Sequence, residues 1–175
     1  MNWPNRLSII RVLCIPVIVL LLYASPEWCG WAAAAVFAFA CFTDYLDGHL
    51  ARKNQQITDF GKFIDPVADK LLVLSTMIML MHLQLFPAWL LILILARELS
   101  VDGLRLVAMT RQKVIAAGPL GKIKTASQMV LILMLMIFKK PLFSTVPGII
   151  LGSWVCVITF WSGFDYFAKN LSLLK

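Results

Sequence analysis

Charge is scarce in this chain: Asp, Glu, Lys and Arg make up 14% of its 175 residues, against 61% hydrophobic ones. A water-soluble domain needs more polar surface than that to cover itself, so the composition excludes one and a membrane protein is the expected class. Cysteine is thin as well. Cys14, Cys29, Cys41 and Cys156 are scattered through apolar stretches without C-x-x-C spacing, which removes the basis for a disulfide framework or a zinc site and leaves them as small core or lipid-facing residues. Histidine is confined to His49 and His82, and nothing pairs with either at metal-ligand spacing, so both read as surface or interface residues. Acidic residues number nine against sixteen Lys and Arg, a net charge of +7. The basic residues lie between apolar runs rather than along one polar face, and no RNA-binding signature accompanies them, so nucleic acid is excluded as a partner. Anionic membrane lipids and phosphorylated substrates account for the excess instead. No linker, long charged block or clear internal repeat divides residues 1–175, which read as a single domain.

What the sequence has in abundance is long apolar runs. A helix needs about 20 mostly apolar residues to cross the hydrocarbon layer. Six runs approach that length, at 7–24, 28–50, 63–82, 86–107, 119–138 and 145–167. Ser25-Pro26, Phe86-Pro87, Gly118-Pro119, Pro141 and Pro147-Gly148 lie at or near their ends, where prolines are easily accommodated. The expected fold class is therefore all-α and integral to the membrane, with six transmembrane helices. Arg6 and Arg11 ahead of an apolar stretch ending near Tyr23 have the look of a secretory signal, but five further apolar segments hold the chain in the bilayer. With the N-terminus in the cytoplasm, all of the sixteen Lys and Arg except Lys139 and Lys140 fall on or toward the cytoplasmic side. The expectation is a multi-pass protein of the inner (cytoplasmic) membrane with both termini inside. Trp3, Trp28, Trp31, Trp89, Trp154 and Trp161 lie mostly near run ends, as interface anchors do. Ala32 to Ala35, Ala38 and Ala40 in the second run, and the G-x-x-x-G of Gly148 and Gly152 in the sixth, let helices approach closely. Packing within the chain is the first reading of both, and a homodimer seam the second.

The chemistry sits between the second and third runs, in Asp44-Tyr45-Leu46-Asp47-Gly48-His49-Leu50-Ala51-Arg52 and Gly61-Lys62-Phe63-Ile64-Asp65-Pro66-Val67-Ala68-Asp69. Residues three or four apart on a helix share a face, so Asp44 pairs with Asp47 and Asp65 with Asp69, and a short turn brings the pairs together. Each ionised carboxylate near the bilayer interior costs roughly 2.5 to 3.5 kcal/mol, so four cost on the order of 10 kcal/mol without compensation. Arg52 and Lys70 cannot neutralise all four. Hard oxygen ligands suit magnesium or manganese rather than zinc, and one or two such ions complete the balance. Glycine at position 48 removes a side chain where a ligand passes close to the backbone, Arg52 offers a planar fork to diphosphate oxygens, and Gly61 provides clearance on the facing helix. The ordered pattern D-x-x-D-G-x-x-A-R, eight residues, then G-x-x-x-D-x-x-x-D argues against merely solvated helix ends.

At these residues the chain resembles the CDP-alcohol phosphotransferase family, whose signature is matched by Asp44, Asp47, Gly48, Ala51, Arg52, Gly61, Asp65 and Asp69 without departure. The six-span plan fits as well, so the likeness covers nearly the whole chain. It implies an active site near the cytoplasmic face, with two divalent ions, Mg2+ or Mn2+. Carried over, Asp44, Asp47 and Asp65 are metal ligands, and Asp69 assists the metal site and acts as the general base toward the acceptor hydroxyl. The same likeness assigns CDP-lipid contacts to Asn5, Ser8, Asp47, Gly48, Arg52, Thr58 and Gly61. For Asn5 and Ser8, helix capping is an equal alternative.

The acceptor is suggested by Arg97-Glu98, Asp102, Arg105, Arg111, Lys113 and Gly121-Lys122-Ile123-Lys124-Thr125, all toward the same half of the membrane. Two or three Arg or Lys side chains commonly hold a phosphate, and an uncharged acceptor has no need of so many. Arg97, Arg105, Lys122 and Lys124 are the candidates for holding an acceptor phosphate, whereas Arg111 and Lys113 read equally well as positive-inside anchors. A-R-E at 96–98, G-K-I-K-T at 121–125 and D-P-V-A-D-K at 65–70 resemble the bacterial branch of the family that uses glycerol 3-phosphate. The expectation is transfer from CDP-diacylglycerol to sn-glycerol 3-phosphate, giving phosphatidylglycerol phosphate and CMP. The alternatives are another acceptor (inositol phosphate, serine or phosphatidylglycerol), a membrane prenyltransferase, or a divalent-metal transporter. The prenyltransferase calls for aspartates on distant segments and more spans. The transporter calls for sites near mid-membrane, away from a cation-repelling arginine.

Overall fold

A computed structural model gives the protein as helices joined by short connections, with no strand among the described residues. It describes the backbone of residues 3–24, 26–54, 59–110, 115 and 118–170, and the side chains of 8–24, 26–43, 67–110, 115 and 118–170. The helices are α1 (Trp3–Tyr23), α2 (Glu27–Asn54), α3 (Asp59–His82), α4 (Ala88–Thr110), α5 (Pro119–Phe138) and α6 (Val146–Asn170), with one 3-10 turn at Leu142–Ser144. Each apolar run forms one helix, because Leu, Met and Ala propagate a helix well and the backbone of an apolar segment satisfies its hydrogen bonds internally. Proline occurs at or near the breaks other than the one between α2 and α3, and Pro16 lies inside α1. Pro119 opens α5 and Pro147 is the second residue of α6, positions at which the missing N–H has no helical partner to lose.

α5 and α6 are each long and apolar enough to cross a bilayer, and α1 and α2 contribute shorter apolar stretches, Ser8–Tyr23 and Glu27–Thr43. Large apolar side chains point outward from all of the helices, among them Leu20 on α1, Trp31 on α2, Ile78 on α3, Ile92 on α4, Val130 on α5 and Phe160 on α6. A periphery of this kind is stable against lipid tails and not against water. The protein is a membrane protein.

The chain divides into two compact units. The first comprises Met1–Leu83 and the end of α5, Ile132–Lys139. In it α1 packs against α2 and α3. Ile18 and Leu22 of α1, Phe37 of α2, and Leu72, Met77 and Leu80 of α3 are buried, and Ala33, Ala34 and Ala40 are the alanines of α2 that turn inward. Lys139 closes α5: its φ of 46° is left-handed, and its N–H donates to Leu135 O at 3.0 Å. Its ammonium reaches the turn between α1 and α2, donating to Pro26 O at 3.2 Å and to Ala24 O at 3.4 Å. Gly30 admits this approach, since a Cβ there would overlap Met136 O and lie 2.9 Å from Lys139 Cε. His82 lies exposed at the end of α3, its Nε2 2.9 Å from the Tyr23 hydroxyl, in keeping with its reading as a surface residue.

The second unit comprises Gln84–Leu131 and Lys140–Lys175. Here α4 packs against α6, and α6 against the 3-10 turn. Leu142 at the head of that turn is buried and donates its N–H to Leu85 O at 2.9 Å. The G-x-x-x-G pair is taken up by this contact. A Cβ at Gly148 would overlap the Leu142 carbonyl oxygen, and one at Gly152 would come within 3.0 Å of Leu142 Cδ2 and 3.2 Å of Phe143 Cε1. The small residues therefore serve packing within the chain, the first of the two readings given to them.

Two glycine substitutions test this account. Gly148→Ala sets a methyl group against backbone that has no rotamer to change, and it is expected to lower unfolding stability in detergent by about 1 to 3 kcal/mol. Gly103→Ala, where nothing lies within 4 Å of the added carbon, is expected to raise stability by roughly 0.5 to 1 kcal/mol through helix propensity.

Candidate active site

The aspartate signature is carried by helix. Asp44 and Asp47 lie one turn apart in α2, and Asp65 and Asp69 one turn apart in α3, with residues 55–58 between the two helices. The side chains of Asn5, Asp44, Asp47, Gly48, His49, Arg52, Gly61 and Asp65 lie outside the described residues, as do Trp3, Thr58, Arg111 and Lys113. Of the four aspartates, Asp69 is described: it is half-buried, and its Oδ1 is sealed from solvent. An oxygen-only donor set at these helical spacings fits a hard divalent cation.

α1 begins at Trp3, so Asn5 and Ser8 lie inside the helix and not at its N-cap. Ser8 is fully buried. One turn on is Arg11, which had been read from sequence only as a flanking positive charge. Its side chain is 1% exposed and all three guanidinium nitrogens are shut off from water. An arginine withdrawn that far from solvent belongs to the interior chemistry of the first unit and not to the lipid interface.

In the second unit the candidate cations separate into those that meet and those that do not. Arg97 of α4 and Lys124 of α5 converge on one atom, Glu98 Oε1, at 3.0 Å and 2.6 Å. Their side chains are 12% and 2% exposed, and that of Glu98 19%. Arg97 also donates from Nη2 to Ser162 Oγ of α6 at 2.6 Å. Arg105, two turns beyond Arg97, goes elsewhere: its Nε donates to the Tyr166 hydroxyl at 3.1 Å, and its guanidinium carbon lies 5.6 Å from that ring's centroid. Lys122 is exposed. Glu98, Ser162 and Tyr166 are the members that sequence reasoning did not assign. For Ser162 the available signal was the small pair Ser162-Gly163, which α6 repeats at Gly152-Ser153.

A buried lysine held with a partly buried arginine and glutamate on apolar helices is what a membrane protein with an interior polar site contains. The chain belongs to the CDP-alcohol phosphatidyltransferase family, whose model matches residues 1–161. It is similar to the CDP-diacylglycerol--glycerol-3-phosphate 3-phosphatidyltransferase of Bacillus subtilis (strain 168), 39% identical over 188 residues that cover 99% of this chain and 97% of that protein. The protein of the same name from Escherichia coli (strain K12) is 36% identical over 171 residues, covering 94% and 92%. That of Pseudomonas fluorescens is 39% identical over 184 residues, covering 100% and 93%. Membership in this family sets aside the prenyltransferase and transporter readings.

Tyr166→Phe keeps the ring under Arg105 and removes the hydroxyl that accepts from it. The expected effect is a loss of about 1 kcal/mol in unfolding stability in detergent, against no loss for Phe164→Leu on the exposed face of the same helix.

Proposed function

We propose that the chain transfers the phosphatidyl group of CDP-diacylglycerol to sn-glycerol 3-phosphate, giving phosphatidylglycerol phosphate and CMP, a step of phospholipid biosynthesis. Likeness across nearly the full length to enzymes named for that reaction, at 36% to 39% identity, carries the reading. The meeting of Arg97 and Lys124 on one carboxylate oxygen supports a phosphorylated acceptor over an uncharged one, because two cations brought together suit a phosphate.

In this reading residues 1–175 act as one catalytic domain. Asp44, Asp47, Asp65 and Asp69 would hold two ions of Mg2+ or Mn2+, which when bound offset the negative charge of the diphosphate. Gly48 and Gly61 give the CDP moiety access to the backbone, and Asn5, Ser8, Asp47, Arg52 and Thr58 bind it. Arg52 grips diphosphate oxygens through its planar fork. Arg97 and Lys124 hold the phosphate of the acceptor, with Arg105 and Lys122 drawing it in. Asp69 accepts the proton from the acceptor hydroxyl as its oxygen bonds to the phosphatidyl phosphorus. The phosphorus–oxygen bond to CMP breaks, and CMP leaves with that oxygen. The helices span the inner membrane six times with both termini in the cytoplasm, where the charged substrates are supplied.

Purified protein incubated with CDP-diacylglycerol and Mg2+ is expected to release CMP on addition of sn-glycerol 3-phosphate; release only with another alcohol would overturn the assignment. Asp69→Asn is expected to lower kcat by roughly 10² to 10⁴-fold. Chelation of divalent metal should stop turnover, and readdition of Mg2+ or Mn2+ restore it.

A further inference from the structure

Arg97 and Glu98 are adjacent on α4, and neighbours in a helix do not ordinarily face each other. Here they do. Arg97 Nη1 donates to Glu98 Oε1, Nη2 donates to Ser162 Oγ, and the Nε–H, sealed from solvent, meets no acceptor among the described residues. Two glycines cut the slot in which the guanidinium lies: a Cβ at Gly163 would come within 3.2 Å of Arg97 Cγ, and one at Gly121 within 3.4 Å of Nη2. Lys124 enters from α5 onto the same carboxylate oxygen. A guanidinium with two nitrogens engaged, a third donor unmet and glycine on both sides is fixed in orientation, with donor capacity to spare.

We infer that Glu98 and Ser162 are the positioning residues of the acceptor site: they hold Arg97 and Lys124 together so that a phosphate monoester meets two aligned cations. This rests on the reading that the acceptor is phosphorylated. The two cationic groups repel each other, and the shared carboxylate oxygen offsets that repulsion. Ser162 fixes the other edge of Arg97, so the guanidinium keeps a constant direction and phosphate binding orders little that is not already ordered. Neither residue need touch the substrate. Sequence order conceals the arrangement, because α6 supplies one of the two supports from 65 residues away.

The test is a split of kinetic constants. Glu98→Gln and Ser162→Ala are each made in the full chain, and KM is measured for sn-glycerol 3-phosphate and for CDP-diacylglycerol by CMP release. Glu98→Gln is expected to raise KM for glycerol 3-phosphate at least tenfold, and Ser162→Ala three- to tenfold. KM for CDP-diacylglycerol should stay within twofold in both. An unchanged or lowered acceptor KM, or an equal rise in both constants, would overturn the positioning role while leaving the assigned reaction standing. Should Glu98→Gln fail to fold, Ser162→Ala decides alone, as it removes a single oxygen atom. Release of CMP by the wild-type protein only with unphosphorylated alcohols would overturn both readings together.

Discussion

A charge withdrawn from water is tolerated only where another group answers it, and in a chain of which 14% is charged that requirement decides where chemistry can be placed. Lys124 is 2% exposed and is bound to Glu98 at 2.6 Å; Glu98 is bound in turn by Arg97, and Arg97 by Ser162. Three helices are tied through that carboxylate and the guanidinium it holds. The apolar surroundings that make the charges expensive also make their mutual attraction strong, so the same low-dielectric setting that demands pairing rewards it. The aspartate signature poses the problem with the opposite sign: four carboxylates on two helices, in a family that works with divalent metal.

The elements were legible because one rule governs them. Each apolar run became one helix, but the helices outrun the runs: α2 continues to Asn54 past the run that ends at 50, α3 starts at Asp59 before the run at 63, and α6 continues to Asn170 past 167. Hydropathy registers the hydrocarbon layer, whereas hydrogen bonding carries a helix on into the polar margin. The aspartate signature was legible for a related reason. Its members fall within 26 residues on two consecutive helices, so local spacing encodes them.

The cation site was legible only in outline, because its members come from α4, α5 and α6. Lys122 and Lys124 sit two residues apart on α5, on different faces, and no property of the sequence marks the second as the one that turns inward. Arg11 shows the same ambiguity in the other direction. Counted as a flanking charge, it is one of the most deeply buried side chains in the molecule. Residue type alone does not distinguish a lipid-surface anchor from an interior cation; the packing of a neighbouring helix does.

Trp154 carries a consequence of its own. Its indole N–H donates to Ser127 Oγ at 2.9 Å while the ring stays on the exterior. A tryptophan ordinarily lodges at the headgroup level because its N–H needs water or a lipid carbonyl. With that need met by α5, this ring is released from the tie to the headgroup level. In a protein whose other tryptophans are replaced by Phe, quenching by brominated lipids labelled at different carbons would read the depth of this one ring.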